Sequence, residues 1–134
     1  MAVIDASVYI ALINAHEQDH ARSWGWLERM QAGPDPILAP VILLAEVASV
    51  LSRGVGDTEL AHKVIGQLKR SGVIELVPVT LALAENAATI ATNHRIRGCD
   101  AIYVALADQL NQALVTLDRQ QLERAPGIVK VHEP

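Results

Sequence analysis

The chain has 134 residues and a mass of 14.4 kDa, which fits one domain over residues 1–134, and a domain this size buries roughly two thirds of its unfolded surface. Its single cysteine, Cys99, excludes an internal disulfide framework and a cysteine-built zinc site, and no uncharged apolar run reaches the roughly 18 residues a membrane span needs. The formal charge of −4 speaks against a nucleic-acid partner, but setting aside four of the 15 acids as metal ligands leaves 11 against 11 Lys+Arg and removes that objection.

With 51% hydrophobic residues and a mean hydropathy of +0.24, the chain is apolar for a soluble monomer, so a large core and some partner-covered surface are both expected. The opening run MAVIDASVYIALINA has the look of an export signal, yet it lacks a basic leader and carries Asp5. It therefore reads as a first strand and helix, and the single cysteine fits an intracellular, cytoplasmic protein.

In chain order, β-branched Val3 and Ile4 form a strand that ends at Asp5, with a helical stretch behind it. A polar break at Asn14 to Asp19 precedes a helix from about His20 to Gln31, stopped by Gly33-Pro34. Ile37 to Ala39 is a second strand, and Pro40 sits at a first helical position ahead of VILLAEVASVLSR, closed by Gly54. Asp57 or Thr58 caps a helix reaching about Arg70, ended by Gly72, and Val73 to Val77 is the third strand. Thr80 opens a helix to about His94, and a break at Gly98 leads into the apolar helix DAIYVALADQL. Leu114 to Leu117 is the fourth strand, ending at Asp118; a short helix over Arg119 to Arg124 and a last strand near Ile128 to Val131 follow. This alternation predicts an α/β fold of three layers, α/β/α, around a central, mostly parallel sheet of about five strands.

Four carboxylates stand out against this layout. Glu46 is the only charged side chain from Val41 to Leu51, where burial without a partner is costly; the competing explanation is an anion favoured by the first turns of its helix. Asp5 and Asp118 each follow an apolar run and precede a helix, which places them at carboxyl ends of strands and equally suits them to helix capping. Asp100 opens an apolar helix, and capping explains it too. Taken together, all four lie on the side of a parallel sheet where ligand crevices form. Two carboxylates about 4 Å apart repel by roughly 4 kcal/mol at an effective dielectric near 20, a conflict that a hard cation such as Mg²⁺ or Mn²⁺ removes.

The strings AVIDASVYI, ILLAEVASVL, RGCDAIYVALA and LVTLD resemble, in order, the four acidic motifs of PIN domains, and most resemble those of stand-alone toxins of the VapC kind. The resemblance implies a metal-dependent endoribonuclease using Mg²⁺ or Mn²⁺, with Asp5, Glu46, Asp100 and Asp118 as catalytic and metal-site residues. It suggests hydroxyl roles for Ser7 and Thr116, for which capping or a place on the strand surface is an equal alternative. It also implies a homodimer, held inactive by a small cognate antitoxin.

Arg95 and Arg97 before Asp100, and Arg119 after Asp118, are candidate RNA phosphate contacts, or else solvated helix-end cations. The string His16-Glu17-Gln18-Asp19-His20 spells a zinc-peptidase motif but reads as a polar loop entering a helix, where the two histidines cannot share one face. Cys99 is expected to be a small buried hydrophobe. Aromatics are only 3%, which argues against a base-stacking sheet, and Trp24 and Trp26 cannot share a helix face, so one is expected in the core and the other at an interface. Two other function classes compete. One is a PIN-like module that holds RNA or metal without turnover. The other is a receiver-like phosphorylated domain, which Lys63, Lys69 and Lys130 disfavour because none follows a strand end in the required way.

Overall fold

The computed structural model describes residues Met1–Pro134. Five strands, β1 (Ala2–Ile4), β2 (Ile37–Pro40), β3 (Ile74–Val77), β4 (Ala113–Val115) and β5 (Val131–His132), form one sheet in the order β3-β2-β1-β4-β5, and every pair is parallel. The helices are α1 (Ala6–Ile13), α2 (His20–Gln31), α3 (Ile42–Ser49), α4 (Thr58–Ser71), α5 (Leu81–His94), α6 (Gly98–Leu110) and α7 (Arg119–Arg124). The expected three-layer α/β/α architecture is the observed one.

Its physical basis is the burial of the central strands on both faces. Val3, Ile4, Ala39, Leu114 and Val115 are fully inaccessible, as parallel strands covered by helices require. On one side α6 packs across β1, β2 and β4 and is backed by α5; α1, α2, α3 and α4 pack against one another as a second group. The strand order reverses between β1 and β4, so the crevice at their carboxyl ends is the topological switch point.

Several boundaries differ from expectation, each for a local reason. Pro40 is the last residue of β2 rather than the first of α3, because the Val41 N–H still bonds to the Val77 carbonyl at 2.9 Å. The third helix does not close at Gly54: after Ser49 it widens into a π turn over Val50–Val55 and ends at Gly56, whose N–H bonds to the Leu51 carbonyl and whose φ of 78° turns the chain so that the Asp57 N–H reaches the same carbonyl at 3.1 Å. The last strand is Val131–His132 rather than Ile128 to Val131, because the Ile128 and Val129 N–H groups turn back onto the Ala125 carbonyl. The ends of α4 match expectation, with Asp57 accepting from Leu60 N at 2.9 Å and Gly72 in the left-handed region at φ 66°.

Candidate active site

Register sets Asp5 opposite Thr116, two residues before Asp118. Ile4 lies beside Val115, so the residue after each, Asp5 and Thr116, face one another at the carboxyl edge. Thr116 Oγ1 donates to Asp5 Oδ2 at 2.5 Å, and Gln121 Nε2 from α7 donates to the same oxygen at 2.7 Å. Asp5 Oδ1 accepts from the Ser7 and Val8 amides at 3.1 and 3.3 Å, capping α1, and from Ser7 Oγ at 2.5 Å. Ser7 Oγ in turn accepts from Leu117 N, and Thr116 Oγ1 from Asp118 N, so both hydroxyl oxygens are held by the strand end while their hydrogens stay free to rotate.

Asp118 divides its carboxylate in the same way. Oδ1 caps α7 by accepting from Gln120 N at 2.8 Å and Gln121 N at 3.2 Å, while Oδ2 accepts from Arg97 Nη2 at 2.9 Å. Arg97 Nε donates to Asp100 Oδ2 at 2.7 Å, so one guanidinium spans two of the four acids. Asp100 is not the cap of α6, since the helix begins two residues earlier at Gly98; it sits buried in the first turn. Glu46, the fifth residue of α3, is half-buried, and its Oε1 is inaccessible and receives no hydrogen bond.

The electrostatics tie the four together. Burial pushes the Asp5 carboxyl up to about 6, against hydrogen bonds from Ser7, Thr116 and Val8, and Asp100 adds to the push. Burial also raises Glu46, opposed by the Tyr103 hydroxyl and Arg97 and reinforced by Asp100. Asp100 is raised by burial and by Asp118, with Arg97 pulling it down. Tyr103 is fully buried on α6 and its phenol is pushed up by burial and by the facing Glu46 carboxylate; hydroxyl and carboxylate face each other outside strict hydrogen-bond geometry. Asp100 pushes up Asp5 and Glu46 and is itself pushed up by Asp118, so the cluster is short of positive charge, some of which Arg97 supplies.

No three His, Cys, Asp or Glu side chains converge into a closed cation cage. Magnesium-like ions do not need one, because they keep several waters and take one or two carboxylates. The donors here are all hard oxygens, and the buried Glu46 Oε1 makes no hydrogen bond of strict geometry and faces only the Tyr103 hydroxyl, so the residues fit a small divalent cation.

The model of the family described as PIN domain matches residues 2–128. The chain belongs to the PIN-domain family. Among solved structures, this PIN domain is similar to Mycobacterium tuberculosis VapC20, a sarcin-ricin loop cleaving toxin, with 23% identity, all of both chains covered and a TM-score of 0.78. It is also similar to VapBC2 from Rickettsia felis bound to a DNA fragment from their promoter, with 17% identity, 99% of this chain and 98% of that one covered, and a TM-score of 0.76. A toxin-antitoxin complex from Klebsiella pneumoniae matches with 18% identity, all of both chains covered and a TM-score of 0.66. At these identities the likeness carries the fold. Comparison with curated proteins returns no match.

The remaining candidates divide. Arg97 is in the site, but Arg95 and Arg119 bond none of the four acids. Arg95 is exposed and ends α5 at φ 56°, with its carbonyl held by Arg124 Nη1, and Arg119 lines a cavity of about 790 Å³ with Arg22, Leu117 and His132. Cys99 is exposed rather than buried, since the first turn of α6 turns it outward and Asp100 inward. His16 lies in a turn while His20 starts α2, stacks on Trp24 and places Nδ1 2.7 Å from the Ala11 carbonyl oxygen, so the pair is not a helical ligand set. Trp26 is core and Trp24 is exposed. Two residues of this PIN domain's site, Tyr103 and Gln121, are not foreseen from the sequence. Tyr103 falls in the apolar run of α6 and Gln121 in the short helix that follows Asp118, and nothing in the sequence sets either apart.

Proposed function

We propose that this PIN domain is a metal-dependent endoribonuclease that hydrolyses RNA phosphodiester bonds, with Asp5, Glu46, Asp100 and Asp118 as its catalytic and metal-holding residues. The observation that carries this reading is a buried Glu46 Oε1 without a strict hydrogen bond, beside an Asp100 whose charge adds to the effect of burial in raising both Glu46 and Asp5. Mg²⁺ or Mn²⁺ held by these acids supplies charge neutralisation and an activated water.

The chain's own groups do the rest. Ser7 and Thr116 are rotatable donors on Asp5: turned away, each frees a lone pair on the carboxylate, while the Ser7 and Val8 amides hold its orientation. Arg97 is exposed enough to swing from Asp100 and Asp118 onto a phosphate, where its planar fork suits two oxygens. Arg95 and Arg119 contact the RNA backbone on either side, outside the acidic cluster. A toxin role, with a homodimer and a small cognate antitoxin as partners in the cytoplasm, is supported by the VapC likeness and by neighbours described as toxin-antitoxin complexes. Exposed Trp24 and Ile13 beside an apolar cleft of about 470 Å³ supply surface for such partners. No helix is long and apolar enough to cross a membrane.

The test is RNA cleavage by purified protein with and without EDTA, beside Asp5→Asn. Cleavage that needs the metal and disappears in the variant is expected; chelator-insensitive cleavage, or full activity in Asp5→Asn, defeats the reading. One observation favours a second reading, a PIN-like module that binds RNA without cutting it: Arg97 already occupies Asp100 and Asp118. Tight RNA binding without cleavage under any metal selects that alternative.

A further inference from the structure

Gln121 touches two of the four acids at once. Its backbone N–H donates to Asp118 Oδ1 at 3.2 Å, and its side-chain Nε2 donates to Asp5 Oδ2 at 2.7 Å. The residue is 1% exposed, and its other amide atom, Oε1, is buried without a hydrogen-bond partner.

As core filler this is a poor choice. An apolar side chain of similar length occupies the same space without stranding a buried acceptor, and leaving such an acceptor unpaired is costly. The amide orientation is nevertheless dictated: turned over, Oε1 would face the Asp5 carboxylate, oxygen against oxygen. The buried amide is therefore held in its half-satisfied state by the bond to Asp5. That bond also differs in kind from the others on the same oxygen. Thr116 Oγ1 is a hydroxyl rotor that can turn away, whereas Gln121 Nε2 is carried by a planar group packed inside the protein.

We propose that Gln121 is a positioning residue of the active site, a tie that fixes the Asp5 carboxylate relative to Asp118 so that the acids from the ends of β1 and β4 stand at a set spacing when a divalent cation binds. This rests on the metal-site reading above. Gln121 acts through Asp5 and touches neither metal nor RNA. Groups that hold a ligating carboxylate typically contribute ten- to a hundredfold to metal affinity.

The experiment is titration of the full chain with Mn²⁺ alone, by calorimetry or electron paramagnetic resonance, for wild type, Gln121→Met and Asp5→Asn, with the melting temperature of each measured in EDTA. Met keeps the length and the backbone N–H to Asp118 and removes only the donor to Asp5. The expected result is Mn²⁺ affinity reduced about tenfold or more in Gln121→Met, with metal-free stability unchanged or raised and the KM for RNA unaltered while kcat falls. Wild-type Mn²⁺ affinity in Gln121→Met overturns the inference, whatever happens to stability, provided Asp5→Asn has lost binding. Absence of binding in wild type instead overturns the metal-site reading and the inference with it. Should Gln121→Met fail to fold, the native protein carries the test through its side-chain amide resonances. Under substoichiometric Mn²⁺ the Gln121 NH₂ pair must broaden before those of the chain's other glutamines, and a Gln121 pair that broadens no sooner overturns the proposal.

Discussion

Asp5 gives Oδ1 to the first turn of α1 and Oδ2 to Thr116 and Gln121, and Asp118 divides its oxygens the same way between α7 and Arg97. Capping and site chemistry, which look like rival explanations of these aspartates in the sequence, are thus two halves of one carboxylate. Burying a charge this way opposes folding. With its carboxyl raised from 3.8 to about 6, Asp5 binds its proton more tightly folded than unfolded, so its contribution to stability is present below about pH 4 and lost as pH rises through 6. The loss is about 3 kcal/mol. Metal-free Asp5→Asn is therefore predicted to be more stable than wild type by about 1–3 kcal/mol at pH 7.5, with the gap closing toward pH 4, as measured by urea denaturation at both pH values. A variant less stable than wild type at pH 7.5 contradicts the prediction. Tyr103→Phe removes the hydroxyl that holds Glu46 down, so the acid limb of the pH–rate profile is predicted to move to higher pH with the fold intact. Neither Tyr103 nor Gln121 was legible in the sequence, because their meaning depends on which helix packs over which strand end.

At the scale of elements, caps and strand order were readable and helix continuity was not. Asp57, Thr80 and Gly72 carry their signals locally, through a side chain three residues from an amide or a backbone needing positive φ. The π turn after Ser49 has no such signature: VILLAEVASVLSR keeps its apolar character across the point where hydrogen bonding shifts, and two nearby glycines compete for the role of terminator. The structure distinguishes them. Gly56 lies at φ 78°, whereas Gly54 is inside the turn with nothing within 4 Å of a Cβ built on it. Gly56→Ala is accordingly predicted to cost about 1–2 kcal/mol, and Gly54→Ala to be neutral or stabilising by up to about 1 kcal/mol, in chemical denaturation. Equal effects at both positions would show that the helix ends elsewhere. The last strand was misplaced for a related reason, since Ile128 and Val129 have strand-forming side chains but spend their amides on the Ala125 carbonyl.

Across the whole molecule, alternating apolar runs and helices sufficed for the architecture, and with it for the edge at which Asp5 and Asp118 emerge. What pattern alone could not supply was the distribution of cations. Arg95, Arg97 and Arg119 look equivalent in the sequence, yet only Arg97 reaches the acids, because it precedes the first turn of α6 while the others sit at a helix end and on the rim of a separate cavity. Exposed apolar side chains such as Trp24, Ile13 and Val55 are available for the partner-covered surface that the apolar composition leads one to expect. The dimer proposal predicts light-scattering masses near twice 14.4 kDa, and a monomer across micromolar concentrations counts against it. The central claim is that the acids at the carboxyl edge act as one metal-dependent catalytic site, and Glu46→Gln tests it most directly because it keeps shape and removes charge. In saturating Mn²⁺ the variant is predicted to cleave RNA about a hundredfold more slowly than wild type, or slower still, at equal or higher melting temperature; cleavage at the wild-type rate would contradict the account.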